Sequence, residues 1–286
     1  MRNNIIAIMY DFDKTLCAKD MQEYTFIPNL GMDSSKFWNE ATELRITNKM
    51  DQVLAYMYLM FKKTADNNQT IKKEYLNNIG KDIELFPGLV EWFERINHYG
   101  ADLGMEVEHY IISSGLKEII EGSKIGKYFK EIYASEFYYN DEGNAVWPKL
   151  AVNYTNKTQF LNRINKGVLD ISDDYSLNKK MLENERRIST SNMIYIGDGF
   201  TDVPCMKLTK DGGGVSIAVY NGDKSATAIN LLKDNRINFI APADYQEGSN
   251  IDKIVKKVIK SMAINTELKN VTFKQSIKEY GRKISK

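Results

Sequence analysis

Residues 5–15 read Ile5-Ile6-Ala7-Ile8-Met9-Tyr10-Asp11-Phe12-Asp13-Lys14-Thr15. The apolar part of this stretch has the length and the β-branched content of a buried strand. Asp11 and Asp13 therefore stand where the strand is predicted to end. Because open α/β sheets bind ligands just outside the carboxyl ends of their strands, these two acids form a candidate site for metal binding and nucleophilic chemistry.

Length and composition are those of an ordinary globular protein. The chain has 286 residues, 43% of them apolar and 27% charged, which is enough for one large domain or two ordinary ones. A net charge of +1 gives no overall indication of a nucleic acid or membrane partner. The residues from Lys253 onward are locally basic, which we attribute to the solvated face of a helix rather than to a binding patch.

Cysteine content and the apolar runs bear on the compartment. The two cysteines, Cys17 and Cys205, form neither a disulfide framework nor a zinc pattern. No signal segment precedes the first strand, and no apolar run approaches the roughly 18 residues of a membrane span. We therefore expect a cytoplasmic protein.

The rest of the chain predicts a parallel sheet. Apolar runs indicate five further strands, at 109–112, 132–134, 193–196, 215–219 and 237–240. Because helical patterns separate most of them, we predict an α/β fold with helices on both faces of the sheet. A hairpin is expected from Glu136 to Trp147, turning at 140–144. The polar segment 168–191 has no predicted role.

Residues 19–84 interrupt this alternation, because they contain three helical stripes and no convincing strand. The stripes are Phe37, Trp38, Ala41 and Leu44; Val53, Leu54, Met57, Tyr58 and Phe61; and Ile71, Tyr75 and Leu76. We interpret the stretch as a helical domain inserted after the first strand, with the Met and aromatic residues in its core. Residues 1–18 and 85–286 would then form the main domain.

Polar groups follow the other predicted strands as well. Ser113-Ser114-Gly115 follows the strand at 109–112, and Gly197-Asp198-Gly199-Phe200-Thr201-Asp202 follows the strand at 193–196. Lys157 stands just before a predicted helix. Since the carboxyl ends of parallel strands lie at one edge of a sheet, these scattered groups are expected to meet there.

These residue types suit phosphoryl transfer. Mg²⁺ prefers carboxylate oxygens, and a lysine adds a second positive charge that offsets the phosphate dianion. A serine hydroxyl and backbone N–H groups can hold phosphoryl oxygens. One aspartate can attack phosphorus while another protonates the leaving alkoxide and later activates water. An isolated Asp-x-Asp is most often a turn or surface pair, so the prediction depends on the order of all four motifs along the chain.

That ordered set resembles the haloacid dehalogenase (HAD) superfamily, specifically its phosphatases, over residues 5 to about 240. The resemblance implies a Rossmann-like core with the strand order 5-4-1-2-3. It implies that Asp11 is the nucleophile, Asp13 the general acid and base, and Thr15 a residue that steadies the loop. Ser113 would bond the phosphoryl group, and Lys157 would offset the negative charge of the nucleophile and phosphoryl group.

The same resemblance implies a Mg²⁺ cofactor. The ion would be held by Asp11, the backbone carbonyl of Asp13, and Asp198, while Asp202 would support the metal site through water. The second acid of the first motif also distinguishes reactions within the superfamily. Its dehalogenases lack an acid there because halide leaves without a proton, and P-type ATPases have threonine. Asp13 therefore favours ester hydrolysis.

The helical insertion occupies the position of a C1 cap, which makes the chain look most like the phosphoserine phosphatase branch. That branch uses a glutamate to bind the amino group of its substrate, and Asp20 takes that position here. Its Ser-Gly-Gly becomes Ser113-Ser114-Gly115, of which Ser114 and Gly115 are predicted to contact substrate, and its motif-four Asn becomes Thr201. Arg45, the only arginine within 19–84, is the candidate for binding a substrate carboxylate.

The predicted function is thus Mg²⁺-dependent hydrolysis of a small phosphorylated metabolite. A phosphotransferase or mutase on the same fold is the alternative among enzymes. Two alternatives of another class are a receiver-like module and a catalytically silent phosphate-binding protein. The receiver is disfavoured because it normally places its phosphorylated Asp on a later strand and has no cap.

Overall fold

The structure, a computed structural model, describes residues 4–183, 185–222 and 225–284, with side chains up to residue 276. Seven strands form its central sheet: β1 (Ile5–Tyr10), β2 (Glu106–Leu116), β3 (Glu131–Tyr139), β4 (Ala145–Leu150), β5 (Met193–Gly197), β6 (Val215–Tyr220) and β7 (Phe239–Pro242). They lie in the order β4-β3-β2-β1-β5-β6-β7. Every neighbouring pair is parallel except β3 and β4.

Eleven α-helices occur in the described residues: α1 (Phe26–Asn29), α2 (Ser34–Asn48), α3 (Gln52–Asp66), α4 (Lys73–Ile79), α5 (Leu89–Asp102), α6 (Lys117–Gly122), α7 (Lys157–Lys166), α8 (Asp174–Asn178), α9 (Val203–Asp211), α10 (Ala226–Lys233) and α11 (Asn250–Ile284). Short 3-10 helices lie at Met21–Glu23, Gly80–Asp82, Gly126–Tyr128, Thr190–Asn192 and Phe200–Asp202.

Strand β1 lies at the centre of the sheet and is buried along its whole length. Ile6, Ile8 and Tyr10 join the hydrophobic cluster on one face of the sheet, and the residues between them join the cluster on the other. This two-sided burial explains why the strand is a continuous apolar run rather than an alternating one.

The predicted strand order is confirmed, with one strand added at each edge. Strands β6, β5, β1, β2 and β3 reproduce the order 5-4-1-2-3. The short run predicted at 237–240 becomes β7, which pairs in parallel with β6. The hairpin predicted from Glu136 to Trp147 is the antiparallel pair of β3 and β4. Its first strand is a continuation of the strand predicted at 132–134.

Four helices, α1 to α4, lie between β1 and α5. Asp33 and Asp51 cap the starts of α2 and α3 by accepting backbone N–H groups, as expected for N-cap acids. Most of the predicted stripes are buried or half-buried, but Leu54 and Tyr58 are exposed. They lie one position away from the buried face that Val53 and Met57 define on α3.

Helix α4 packs closely on α6, which links the inserted helices to the sheet. A Cβ on Gly122 would lie 1.8 Å from the carbonyl oxygen of Asn77, so only glycine permits this approach. One hydrophobic cluster continues from the sheet into α2 and α3.

At the other end of the chain, α11 buries Ile251, Val255 and Ile259. Among the described residues, no helix combines the length and apolar character that crossing a membrane requires.

Candidate active site

The centre of the site is a lysine between two buried carboxylates. Asp11 directly follows β1, where its N–H donates to the carbonyl of Ile196 at 2.9 Å. The Nζ of Lys157 donates to Asp11 Oδ1 at 2.9 Å and to Asp202 Oδ1 at 2.8 Å. Exposure is 6% for Asp11, 1% for Lys157 and 0% for Asp202. Such burial is tolerated because each charge has a partner of opposite sign.

Position and charge keep Lys157 protonated. It is the first residue of α7, and its side chain is buried between Asp11 and Asp202. Burial lowers the pKa of Lys157, but Asp11 and Asp202 outweigh burial and leave the pKa above its usual value. Burial also raises the pKa of Asp11, to about 6, against the lowering effect of Lys157. The lysine therefore limits how far the Asp11 carboxylate is driven toward its neutral form.

Asp202 is held on both of its oxygens. Its Oδ1 also accepts from the Tyr195 hydroxyl at 2.8 Å, and its Oδ2 accepts from the Asp198 N–H at 3.3 Å. A Cβ on Gly197 would lie 2.4 Å from that Oδ2, so a side chain there would displace the carboxylate. Tyr195 escaped the sequence analysis because it lies in an apolar strand. A tyrosine within a predicted buried strand could have indicated a polar partner nearby, because a buried tyrosine hydroxyl needs a hydrogen-bond partner.

Three carboxylates could hold a cation. Asp11, Asp198 and Asp202 each offer an oxygen, and these oxygens lie within 4.8 Å of one another. Burial raises the pKa of Asp198 to about 8, with further contributions from the charges of Asp202 and Asp11. The donors are all hard oxygens and their negative charges crowd one another, so the residues fit Mg²⁺. Because both Asp202 oxygens already accept hydrogen bonds, Asp11 and Asp198 are the better direct ligands.

Asp13 lies beside this cluster in a half-buried loop. Its Oδ1 accepts from the Met21 N–H at 2.8 Å, and a Cβ on Gly115 would lie 3.0 Å from its Oδ2. Burial, and then the charges of Asp20 and Asp11, raise the pKa of Asp13 well above its usual value. A raised pKa favours the protonated form of the carboxyl, which is the form that a general acid requires.

A tyrosine near the C-terminal end of the chain contacts the loop that follows Asp13. Thr15 is buried, and its carbonyl accepts from the Tyr245 hydroxyl at 2.8 Å. The Leu16 N–H donates to the carbonyl of Phe12 at 2.8 Å. The loop that carries Asp13 is thus held through backbone groups, while the buried Thr15 hydroxyl has no hydrogen-bond partner among the described residues, and the steadying role of its side chain stays a prediction.

The second motif lies inside a strand, and the prediction that the strand ends before it was wrong. Strand β2 continues to Leu116, with a register shift against β3 after Ile112. The carbonyl of Ser114 accepts from the hydroxyls of Tyr56 and Ser135, at 2.7 and 3.1 Å. These side chains satisfy the backbone where the regular ladder is interrupted, and such irregularities re-aim side chains near active sites. Ser113 Oγ accepts from the Gly115 N–H at 3.0 Å.

The two residues predicted to bind the organic part of the substrate differ in placement. Asp20 forms an ion pair with Lys14, with Nζ 2.7 Å from Oδ2. Arg45 lies in the last turn of α2 and is half-buried. Among the described contacts, none joins its guanidinium to the carboxylate cluster, so its role stays a prediction.

Comparison with known proteins identifies relatives over most of the chain. An uncharacterized protein of Borreliella burgdorferi is 30% identical over 91% of this chain and 99% of its own length. Inorganic pyrophosphatase 2 of Arabidopsis thaliana is 23% identical over 93% of this chain and 88% of its own length.

Solved structures share the fold. A HAD family hydrolase from Salmonella enterica subsp. enterica serovar Typhi matches with a TM-score of 0.54 and 21% identity, over 82% of this chain, which spans only 66% of that protein. A phosphoserine phosphatase in its apo form matches with a TM-score of 0.54 and 15% identity, over 88% of this chain and 98% of that one.

The family assignment comes from the sequence. The family model for haloacid dehalogenase-like hydrolases matches residues 8–207. This range includes Asp11, Ser113, Lys157 and Asp198, the residues on which the four-motif resemblance was based. The chain therefore belongs to the haloacid dehalogenase-like hydrolase family.

Proposed function

We propose that the protein is a Mg²⁺-dependent phosphomonoester hydrolase that acts through an aspartyl-phosphate at Asp11. The observation that carries this proposal is the buried contact of Lys157 with both Asp11 and Asp202, next to Asp198. A cationic side chain locked against a strand-end aspartate both aligns a nucleophile and offsets the charge of an incoming phosphate. The fold shared with phosphoserine phosphatases supports the same class of reaction.

The metal site would be made by Asp11 and Asp198, together with the Asp13 carbonyl, and Asp202 would orient it. When bound, Mg²⁺ supplies positive charge that screens the phosphate dianion from the anionic nucleophile. Ser113, Ser114 and Gly115 would hold the remaining phosphoryl oxygens.

In the first half of the reaction, a carboxylate oxygen of Asp11 attacks phosphorus, and the bond from phosphorus to the leaving oxygen breaks. Lys157 keeps Asp11 ionised and holds its Oδ1, which leaves the other oxygen for attack. Asp13 donates its proton to the leaving alkoxide, in line with its raised pKa.

In the second half, the Asp13 carboxylate takes a proton from a water molecule, whose oxygen attacks the phosphorus of the aspartyl-phosphate. The bond between phosphorus and the Asp11 oxygen breaks, which releases inorganic phosphate and restores both aspartates. Donation and acceptance by the same group require a pKa near the working pH.

Residues 19–84 would serve as a cap over this site. Met21 and Tyr56 belong to that segment and contact Asp13 and Ser114 respectively. A movement of the cap would therefore change these two contacts. Closure would exclude water other than the attacking molecule. We propose a small phosphorylated metabolite of the cytoplasm as substrate, without a nucleic acid or membrane partner.

The test is Asp11→Asn, assayed with p-nitrophenyl phosphate and Mg²⁺. The variant keeps the shape of the side chain but removes the nucleophile, so hydrolysis should fall to background while the circular dichroism spectrum is unchanged. Asp211→Asn is the matched control, because Asp211 is an exposed residue at the opposite end of α9 from Asp202. Full activity in Asp11→Asn would refute the proposal.

A second measurement separates hydrolysis from phosphoryl transfer. Inorganic phosphate and nitrophenol should be released in equal amounts, also when acceptor alcohols are added. A phosphorylated alcohol among the products would instead indicate a transferase.

A further inference from the structure

Lys14 stands between the proposed acid/base Asp13 and the loop residue Thr15, and it has an unusual backbone conformation. Its φ of 59° lies in the left-handed region, which residues other than glycine seldom adopt. The Nζ of its side chain lies 2.9 Å from Oδ1 and 2.7 Å from Oδ2 of Asp20. A lysine that contacts both carboxylate oxygens is well placed to hold its partner.

The ion pair changes what Asp20 can offer to a ligand. The Lys14 side chain is 51% exposed and that of Asp20 is 27% exposed, so the lysine is the more exposed member of the pair. The charge of Asp20 is already balanced by Lys14. An ammonium group on a substrate would have to displace Lys14 to reach Asp20, or approach a charge of its own sign.

The Lys14 ammonium also acts on the groups that would handle the leaving oxygen. Asp13 directly precedes Lys14, and its Oδ1 accepts from the N–H of Met21, the residue after Asp20, so the Lys14–Asp20 pair flanks the proposed acid/base. A lysine paired with a carboxylate is charged at neutral pH, so the pair places a positive charge beside the group that would protonate the leaving oxygen. The part of a substrate beyond the transferred phosphoryl group would meet this positive charge.

We propose that Lys14, held by Asp20, is a specificity-determining residue that selects substrates whose leaving part carries a carboxylate or a second phosphate and disfavours those carrying an ammonium. This inference rests on the proposed phosphatase function. Attraction of an anionic leaving part and repulsion of a cationic one act in the same direction, and discrimination is the difference between the two. The inference also reverses the role expected for Asp20, which positions Lys14 instead of binding a substrate amino group.

The experiment compares kcat/KM for four substrates with Mg²⁺. Phosphoglycolate carries a carboxylate, pyrophosphate a second phosphate and phosphoethanolamine an ammonium, while p-nitrophenyl phosphate is the reference without an added charge. The wild-type protein should favour at least one of the anionic substrates over phosphoethanolamine by about tenfold or more. A preference for phosphoglycolate would indicate that Lys14 binds a carboxylate, and a preference for pyrophosphate would indicate that it binds a phosphate.

Three variants assign the effect to the ion pair. Lys14→Met keeps the length of the side chain and removes its charge, so the anionic-to-cationic ratio should fall by about tenfold or more. Lys14→Arg keeps the charge and should retain the wild-type preference. Asp20→Asn leaves Lys14 unbalanced and should raise the ratio, which provides a readout even if Lys14→Met does not fold.

The outcomes separate this inference from the function on which it rests. If the wild-type protein hydrolyses p-nitrophenyl phosphate but favours phosphoethanolamine, or if neither Lys14→Met nor Asp20→Asn moves the ratio, the role of Lys14 is wrong. If no substrate is hydrolysed, the proposed function itself fails.

Discussion

Gly115 shows how closely single residues are fitted around Asp13. A Cβ at this position would lie 2.1 Å from Met21 Cε and 3.0 Å from Asp13 Oδ2. The end of the Met21 side chain is flexible and can move aside. The Asp13 carboxylate is held by the Met21 N–H, so a change that moves Met21 also disturbs the proposed acid/base.

We therefore predict that Gly115→Ala lowers kcat by about tenfold to a hundredfold while costing little stability, because misplacing a catalytic group is expensive in rate. Combining it with Met21→Ala removes the closest contact and should restore part of the activity. Steady-state assays with p-nitrophenyl phosphate and urea unfolding provide the two measurements. A loss of activity that merely follows a loss of folded protein would contradict this explanation.

Sequence patterns identified Asp11, Lys157 and Asp202 separately, but not the contact that joins them. Each could be found because it stands beside a predicted strand or helix end. Their convergence was expected from the parallel topology, and the structure places Lys157 in contact with both acids. Which carboxylate oxygens the lysine holds depends on side-chain conformations, which no motif specifies.

At the scale of elements, segment 168–191 acquires a structural role that its polar composition did not reveal. Arg187 donates to both carboxylate oxygens of Glu108 on β2, with Nη1 at 2.6 Å from Oε2. Lys130 and the Tyr110 hydroxyl donate to the same carboxylate. Arg163, buried in α7, donates to the carbonyls of 170 and 171. Charge-assisted hydrogen bonds thus join the segment to the sheet through Arg187 and to α7 through Arg163.

The Glu108 cluster predicts a pH dependence of stability. Burial raises the pKa of Glu108, but hydrogen bonds from Arg187, Lys130 and Tyr110 outweigh burial and lower it from 4.5 to about 2. A lowered pKa in the folded state stabilises the protein above the unfolded pKa, so this stability is lost as pH falls from about 4.5 to about 2. At about 1.4 kcal/mol per pKa unit, the contribution at neutral pH is on the order of 3 kcal/mol.

We expect Glu108→Gln to lower the free energy of unfolding at pH 7 by about 2–3 kcal/mol and to make its pH dependence below 4.5 shallower. Urea unfolding between pH 7 and pH 3 measures both effects. Glu106→Gln, an exposed change on the same strand, should resemble the wild-type protein. An unchanged acid dependence in Glu108→Gln would show that this cluster does not stabilise the fold.

At the scale of the whole molecule, three carboxylates gather at the carboxyl ends of two neighbouring strands. Asp11 follows β1, and Asp198 and Asp202 follow β5, its neighbour. In the described structure, the buried cation Lys157 contacts Asp11 and Asp202. Folding therefore brings carboxylates together against their mutual repulsion, and a bound cation would relieve this cost.

Mg²⁺ should accordingly raise the melting temperature, and more so at higher concentration, because a ligand that binds only the folded state stabilises it by mass action. Asp198→Asn should melt no lower than the wild-type protein in EDTA, since it removes one crowded charge, and should gain less from Mg²⁺. Differential scanning calorimetry measures both, with Asp211→Asn as control. An equal response to Mg²⁺ in Asp198→Asn would exclude Asp198 as a ligand.

The sequence by itself determined the α/β class and the polar residues expected to gather beside the sheet, and the family resemblance supplied the order of the five core strands. The α/β class follows from apolar periodicity and from the alternation of strands with helices, and both are expressed along the chain. Only the tertiary structure decided that β2 continues through Ser113 and that Asp20 is paired with Lys14. The first outcome depends on contacts such as that of Tyr56 with Ser114, residues distant in sequence. The second depends on the side-chain conformations of Lys14 and Asp20, which a local sequence pattern does not specify.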